Sequence, residues 1–169
     1  MANPKTIEYR NPFALIQSKP DPWKGYVRSA GNFLVFDSVE NGARAGMINL
    51  INTYLKRGRN TIATIIPVYA PEPDKSKIEN YMAFLEAKTG MNRNQVIDTR
   101  EEFLSLARYI TWFEAGRDWI NMEQLNRAYN AAIENTGFIQ WGEVKQAGIK
   151  LGALITFGAL GLAVYYWLK

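Results

Sequence analysis

The chain contains neither cysteine nor histidine. That excludes a disulfide framework, a thiol nucleophile, a histidine general base and the usual zinc sites, so no metal and no cofactor is expected. Any chemistry must run on carboxylates, hydroxyls, tyrosine, lysine or arginine. Excess charge is also scarce: the net charge is +4 over 169 residues. The basic residues gather only at Lys56, Arg57 and Arg59, without the dense stripe that a nucleic-acid partner demands, so no specific nucleic acid is expected.

A second absence lies at the C-terminus, where no residue from Leu151 to Leu168 is charged. At about 1.5 Å per helical residue this run covers roughly 27 Å, close to the hydrocarbon thickness of a bilayer. Lys150 and Lys169 flank it, and Tyr165, Tyr166 and Trp167 stand at its far end, where amphipathic rings favour the headgroup region. The sequence therefore predicts a transmembrane helix over 151–168, with Leu151 and Phe157 in the bilayer and the aromatic trio at its edge. Gly148 with Gly152, and Ala159 with Ala163, have the small-xxx-small spacing that lets helices approach closely in lipid. The first residues lack the apolar stretch of a secretory signal, so insertion is expected after synthesis or into a membrane acquired during assembly. Lys145 and Lys150 on the head side favour a head on the cytoplasmic face.

Between the ends, side-chain capping signals mark out helices. Asp37 with Glu40 opens the first, whose Ala43, Met47, Leu50, Ile51 and Tyr54 form an apolar face that Gly58 closes. Thr61, with Asn60, caps a short segment, Ile62 to Ile66, which Pro67 is expected to end or kink. A proline-rich loop follows from Ala70 to Asp74. Ser76 with Glu79 opens a helix carrying Ile78, Tyr81, Met82 and Leu85 and closed near Gly90. Thr99 with Glu102 opens one carrying Phe103, Leu106, Ala107, Ile110 and Phe113, closed near Gly116. Asn121 with Gln124 opens the last, through Leu125, Ala128, Tyr129, Ala132 and Ile133 to Gly137.

Ahead of these helices, Pro12, Pro20 and Pro22 break the periodicity. Gly25 to Arg28 and Asn32 to Phe36 read as two short strands around Ser29 to Gly31. The fold class is thus mainly α, or α+β with one small hairpin: a helical head over 1–140, a linker over 141–150 and the transmembrane helix.

The order of local blocks carries further information. Asn11-Pro12, Trp23-Lys-Gly25, Phe33 to Ser38, Gly42-Ala-Arg-Ala45, Tyr54, Asn60-Thr61-Ile62, Tyr69-Ala-Pro71, Tyr81, Thr89-Gly90 and Phe113-Glu-Ala-Gly116 follow one another. This series resembles the phage and prophage virion proteins built around an Arg-Asn-Asn-Asn-Pro-Gly-Asn start, over roughly residues 8 to 135. The resemblance implies a virion structural protein with a lysozyme-like, peptidoglycan-directed head. It would be localised in the virion and associated with an internal viral membrane or the host envelope, its partners being the lipid bilayer, other virion proteins and peptidoglycan. The chain departs from that pattern where Phe13 and Ala14 replace the Gly and Asn after Asn11-Pro12, and no Arg precedes them in register.

Glycoside cleavage needs a carboxylic acid of raised pKa and, in most enzymes, a second carboxylate. Glu114, set among Trp112, Phe113 and Ala115, is the candidate acid, since apolar surroundings raise a carboxyl pKa; the alternative is a solvated glutamate in the last turn of a helix. Asp37 and Glu8 are candidate second carboxylates, although Asp37 also reads as a helix cap. Asn11, Trp23, Tyr69 and Trp112 are candidate glycan contacts, with Tyr26 beside them; aromatics of this kind equally fill cores. The reading is a membrane-anchored phage virion structural protein acting in assembly or in envelope penetration. Its rival is a peptidoglycan hydrolase of muramidase or lytic transglycosylase type. A holin-like lysis accessory leaves the large head unexplained.

Overall fold

Five helices of the head begin on a polar side chain that accepts a hydrogen bond from a backbone amide otherwise left without a partner, and three of those end on a left-handed glycine. The computed structural model describes residues 4–16, 23–137 and 141. The predicted membrane helix, with Leu151, Phe157, Tyr165, Tyr166 and Trp167, lies outside the described residues, as do most of the linker and residues 17–22. Among the described residues no helix is long and apolar enough to cross a membrane.

The head is mainly helical with one small hairpin. Its elements are α1 (Pro4–Glu8), β1 (Tyr26–Ala30), β2 (Phe33–Phe36), α2 (Val39–Asn49), α3 (Ile62–Tyr69), α4 (Lys75–Thr89), α5 (Arg100–Ala115) and α6 (Met122–Thr136). After α2 the chain continues through a π turn over Leu50–Tyr54 and a 3₁₀ turn over Leu55–Arg57, then stops at Gly58 with φ +75°. The predicted boundaries hold for α5 and α6, where Thr99 with Glu102 and Asn121 with Gln124 form reciprocal capping boxes.

Three expectations need correction. Ser38, not Asp37, caps α2, because Ser38 Oγ accepts from the Asn41 amide while Asp37 sits one residue outside. Asp74, not Ser76, caps α4, its carboxylate accepting from the Ser76 amide at 3.0 Å. Pro67 does not end the helix: α3 runs on to Tyr69 and closes with Ala70 N–H donating to Ile66 O at 3.0 Å. The one hydrogen bond Pro67 cannot make would go to the carbonyl of Ala63, and Pro67 itself is exposed, so its ring meets solvent instead of the core.

The hairpin pairs β1 and β2 antiparallel through the two-residue turn Gly31-Asn32, with Val27 bulged out of register. On the other side β2 is joined by the segment after α1. Phe36 N–H donates to Tyr9 O, Leu34 N–H donates to Leu15 O, and Ile16 bridges Phe33. This segment lies directly on α2 because α2 offers no side chain there. A Cβ on Gly42 would stand 1.9 Å from Arg10 O, and one on Gly46 would stand 2.0 Å from the Phe13 ring. Behind it, α2 packs along α6 and α4 against α5. The core is fully buried at Ile51, Leu106, Ala107, Ile110, Leu125 and Tyr129; each large apolar side chain there contributes about 1.5–3 kcal/mol.

Candidate functional site

The apolar stripe of α5 runs through Phe103, Leu106, Ala107 and Ile110, all buried, and one further helical step reaches Glu114. A carboxyl therefore occupies the end of the inward-facing row instead of the solvated side of the last turn. Burial pushes it up to about 7, although the Tyr81 hydroxyl donates to Oε1 at 2.9 Å and opposes the shift. The C-terminal end of α5 adds its negative dipole pole, which also disfavours the anion. Among the described residues Glu114 forms no ion pair, and Oε2 has no hydrogen-bond partner. With Oε1 accepting from Tyr81, the acid proton belongs on Oε2.

Glu114 stands where two cavities meet. The larger, about 520 Å³, is walled by Trp23, Tyr26, Tyr54 and Tyr69 with the loop from Phe13 to Ile16. The smaller, about 370 Å³, carries Lys77, Asn80, Tyr81 and Phe113. Ala70, Pro71 and Glu114 line both. The Ala70-Pro71 turn and the Glu114 carboxyl thus mark the waist of one groove, aromatic on one side and mixed on the other.

The surrounding phenols are fixed from separate elements. Tyr81, on α4, stacks on Phe113 with ring centroids 3.7 Å apart, and Tyr69, at the end of α3, lies 6.0 Å from the Tyr54 ring. The Tyr69 hydroxyl donates to Phe13 O, tying α3 to the loop. Burial, with Glu114 as the next cause, holds both the Tyr69 and the Tyr81 phenols well above their ordinary range, so both stay protonated as donors.

The candidate residues from the sequence divide. Trp23, Tyr69 and Tyr26 come together with Glu114 in the groove. Asn11 does not face it: fully buried, its amide donates to Leu15 O and Leu34 O and accepts from Leu15 N–H, each at 2.9 Å. Asn11 builds the loop; it cannot touch a glycan. Trp112 lines neither cavity and packs on Phe84, with the Lys88 ammonium 4.4 Å above its ring. Asp37 is exposed and lines neither cavity; hydrogen bonds from Asn41 and Ser38 hold its carboxyl below the usual range, the condition of a stable anion. Glu8, exposed at the end of α1, lines neither cavity.

Sequence reasoning missed Tyr81 as the partner of Glu114, having placed it on an apolar helix face. The only signal was that a tyrosine in a buried stripe needs some partner for its hydroxyl, without saying which. It also missed Glu72, the only other carboxylate among the described residues lining these two cavities, which pairs with Lys77 at 3.4 Å. No group of three or more acidic side chains suited to a metal occurs among the described residues. No protein-family model matches the chain, and no curated protein matches its sequence.

Proposed function

We propose that the head is the peptidoglycan-directed domain of a phage virion protein, lysozyme-like in layout, and that it cleaves glycan strands during envelope penetration with Glu114 as general acid. The observation that carries this reading is one buried carboxyl, its pKa raised by that burial, at the waist of an aromatic groove. A glutamic acid with a pKa near 7 can deliver its proton at neutral pH, and burial among apolar groups is the usual way to make one.

In the proposed reaction, Oε2 of Glu114 protonates the glycosidic oxygen as the C1–O bond breaks and its electron pair passes to the leaving sugar. The carboxylate left behind then takes a proton from the hydroxyl that attacks C1, and Glu114 returns to its acid form. The larger cavity holds no carboxylate besides Glu114 among the described residues. Paired carboxylates on opposite faces of the sugar are the usual requirement for activating water or forming a covalent intermediate. Their absence there favours attack by the sugar's own 6-hydroxyl, the lytic transglycosylase type, in which one group serves first as acid and then as base. The Trp23, Tyr26 and Tyr69 rings supply faces for pyranose stacking. A C-terminal anchor over 151–168 would keep cleavage local to the membrane through which the genome passes.

The same missing carboxylate is what favours the second reading, a virion structural protein whose groove only binds glycan or a neighbouring virion protein during assembly. Full-length protein in detergent, incubated with purified peptidoglycan sacculi beside Glu114→Gln, separates the two. Release of muropeptides ending in anhydro sugars, lost in the variant, supports the transglycosylase reading; reducing ends instead point to hydrolysis with water. Pelleting with sacculi but no release leaves the structural role.

A further inference from the structure

The basic residues Lys56, Arg57 and Arg59 follow the π turn after α2, around the stop at Gly58. None of the three forms an ion pair among the described residues, and Arg57 is exposed. Part of the cluster has a local job: the Lys56 ammonium donates to Thr136 O, the last residue of α6, and Arg59 to Thr53 O. The first of these bonds fixes where the cluster sits. It stands at the C-terminal end of α6, where the chain leaves the head at Gly137 with φ +58°. Only residues 138–150 then separate that point from the uncharged run beginning at Leu151, and they carry Lys145 and Lys150 against the single acid Glu143.

We propose that Lys56, Arg57 and Arg59 form an electrostatic foot that holds this end of the head against an anionic lipid surface. The inference rests on the reading of 151–168 as a membrane anchor. A tether of this length, at most about 45 Å even when fully extended, keeps the cluster at high effective concentration near the headgroups. Weak attractions then suffice: each basic side chain close to an anionic leaflet favours the docked state about five-fold, and three favour it on the order of 100-fold. The foot would set the head's orientation on the membrane.

Because the chain has no cysteine, Asn52→Cys gives a single labelling site on an exposed residue of the neighbouring turn. The full chain, labelled there with a fluorophore, is reconstituted into vesicles of phosphatidylcholine alone or mixed with phosphatidylglycerol, both carrying a headgroup quencher. Strong quenching is expected only in the anionic vesicles. It should disappear at about 1 M salt, where the Debye length is about 3 Å, and in the variant combining Lys56→Gln, Arg57→Gln and Arg59→Gln. Arg57→Gln alone, at an exposed side chain with no ion pair among the described residues to lose, should weaken docking about five-fold and guards against misfolding of the triple variant. Flotation of the protein with both kinds of vesicle, but equal quenching in the two, overturns the foot while leaving the anchor standing. Failure to float with either overturns the anchor reading and the foot with it.

Discussion

The groove has two walls built on different principles. One is made by helices: Tyr69 closes α3, Tyr81 stands midway along α4, and Glu114 sits in the last turn of α5. The other is the loop from Arg10 to Ile16, which has no regular structure and is held by hydrogen bonds to distant residues such as Leu34 O and Tyr69 Oη. The helical wall rests on packing that many residues share. The loop wall depends on a few irreplaceable contacts and on two non-glycine residues with positive φ, Arg10 at +51° and Ala14 at +49°. On the proposed reading the chemistry sits on the helical wall and shape on the other, so substitutions in the two should fail in different ways.

The largest expected effect lies on the helical wall. Glu114→Gln should lower sacculus cleavage on the order of 10³-fold, the range typical for losing a general acid. The same variant should gain stability at high pH. The folded chain keeps the Glu114 proton up to about pH 7, whereas the ordinary value is 4.5. Between those values the native state holds a proton that the unfolded state releases, so the stability of the parent chain falls as pH rises through that window, by about 3 kcal/mol in total. Urea titrations at pH 4.5 and pH 8 should show that loss in the parent and none in Glu114→Gln. Cleavage by the parent should also decline above about pH 7. A pH-independent stability would mean that Glu114 is solvated, and would remove the basis for calling it an acid.

On the loop wall, Asn11→Ala should act on stability first. It leaves the Leu15 amide and the Leu34 carbonyl without the Asn11 side chain in a fully buried setting, while Leu15 O keeps only the Leu34 amide. A loss of about 3 kcal/mol is expected, read as a lower urea midpoint. Cleavage should fall only as far as the loop disorders, with no change in the pH at which it declines. A variant of full stability and lost cleavage would return Asn11 to the list of glycan contacts.

How far each wall was legible in the sequence follows from the same contrast. Helix caps and apolar spacing are local, so Thr99, Gly116 and the stripe from Phe103 to Ile110 marked α5, and continuing the stripe by one step reaches Glu114. That it faced inward was readable from the spacing; that Tyr81 would meet it was not, because the contact joins residues 33 apart. Tyr81→Phe tests the contact while keeping the ring stacked on Phe113. The lost hydroxyl removes the one interaction that lowers the Glu114 pKa, so the alkaline decline in cleavage should move to higher pH. A profile that does not move would make Tyr81 a packing residue only. The loop wall left almost no local signal: Asn11 looked like a polar contact because its partners Leu15 and Leu34 are brought to it only when β2 docks.

The smallest expected effect sharpens what the loop wall tolerates. Ala14 holds φ +49°, a conformation that costs an L-residue with a β-carbon roughly 1–2 kcal/mol and costs glycine almost nothing. Ala14→Gly relieves that strain but enlarges the freedom of the unfolded chain, which returns about 0.4–1 kcal/mol. A net gain of about 0.5 kcal/mol should remain. Ala14→Asn keeps the unfolded-state restriction and still reaches the left-handed region through local hydrogen bonding, so it should gain at least as much. Both should leave cleavage unchanged, because Ala14 lines the larger cavity through a small side chain and the loop stays tied by Asn11 and by Tyr69. If instead either variant stabilises the fold and slows cleavage, the strain at Ala14 is part of the groove's working shape, and the loop wall contributes to the chemistry as directly as the helical one.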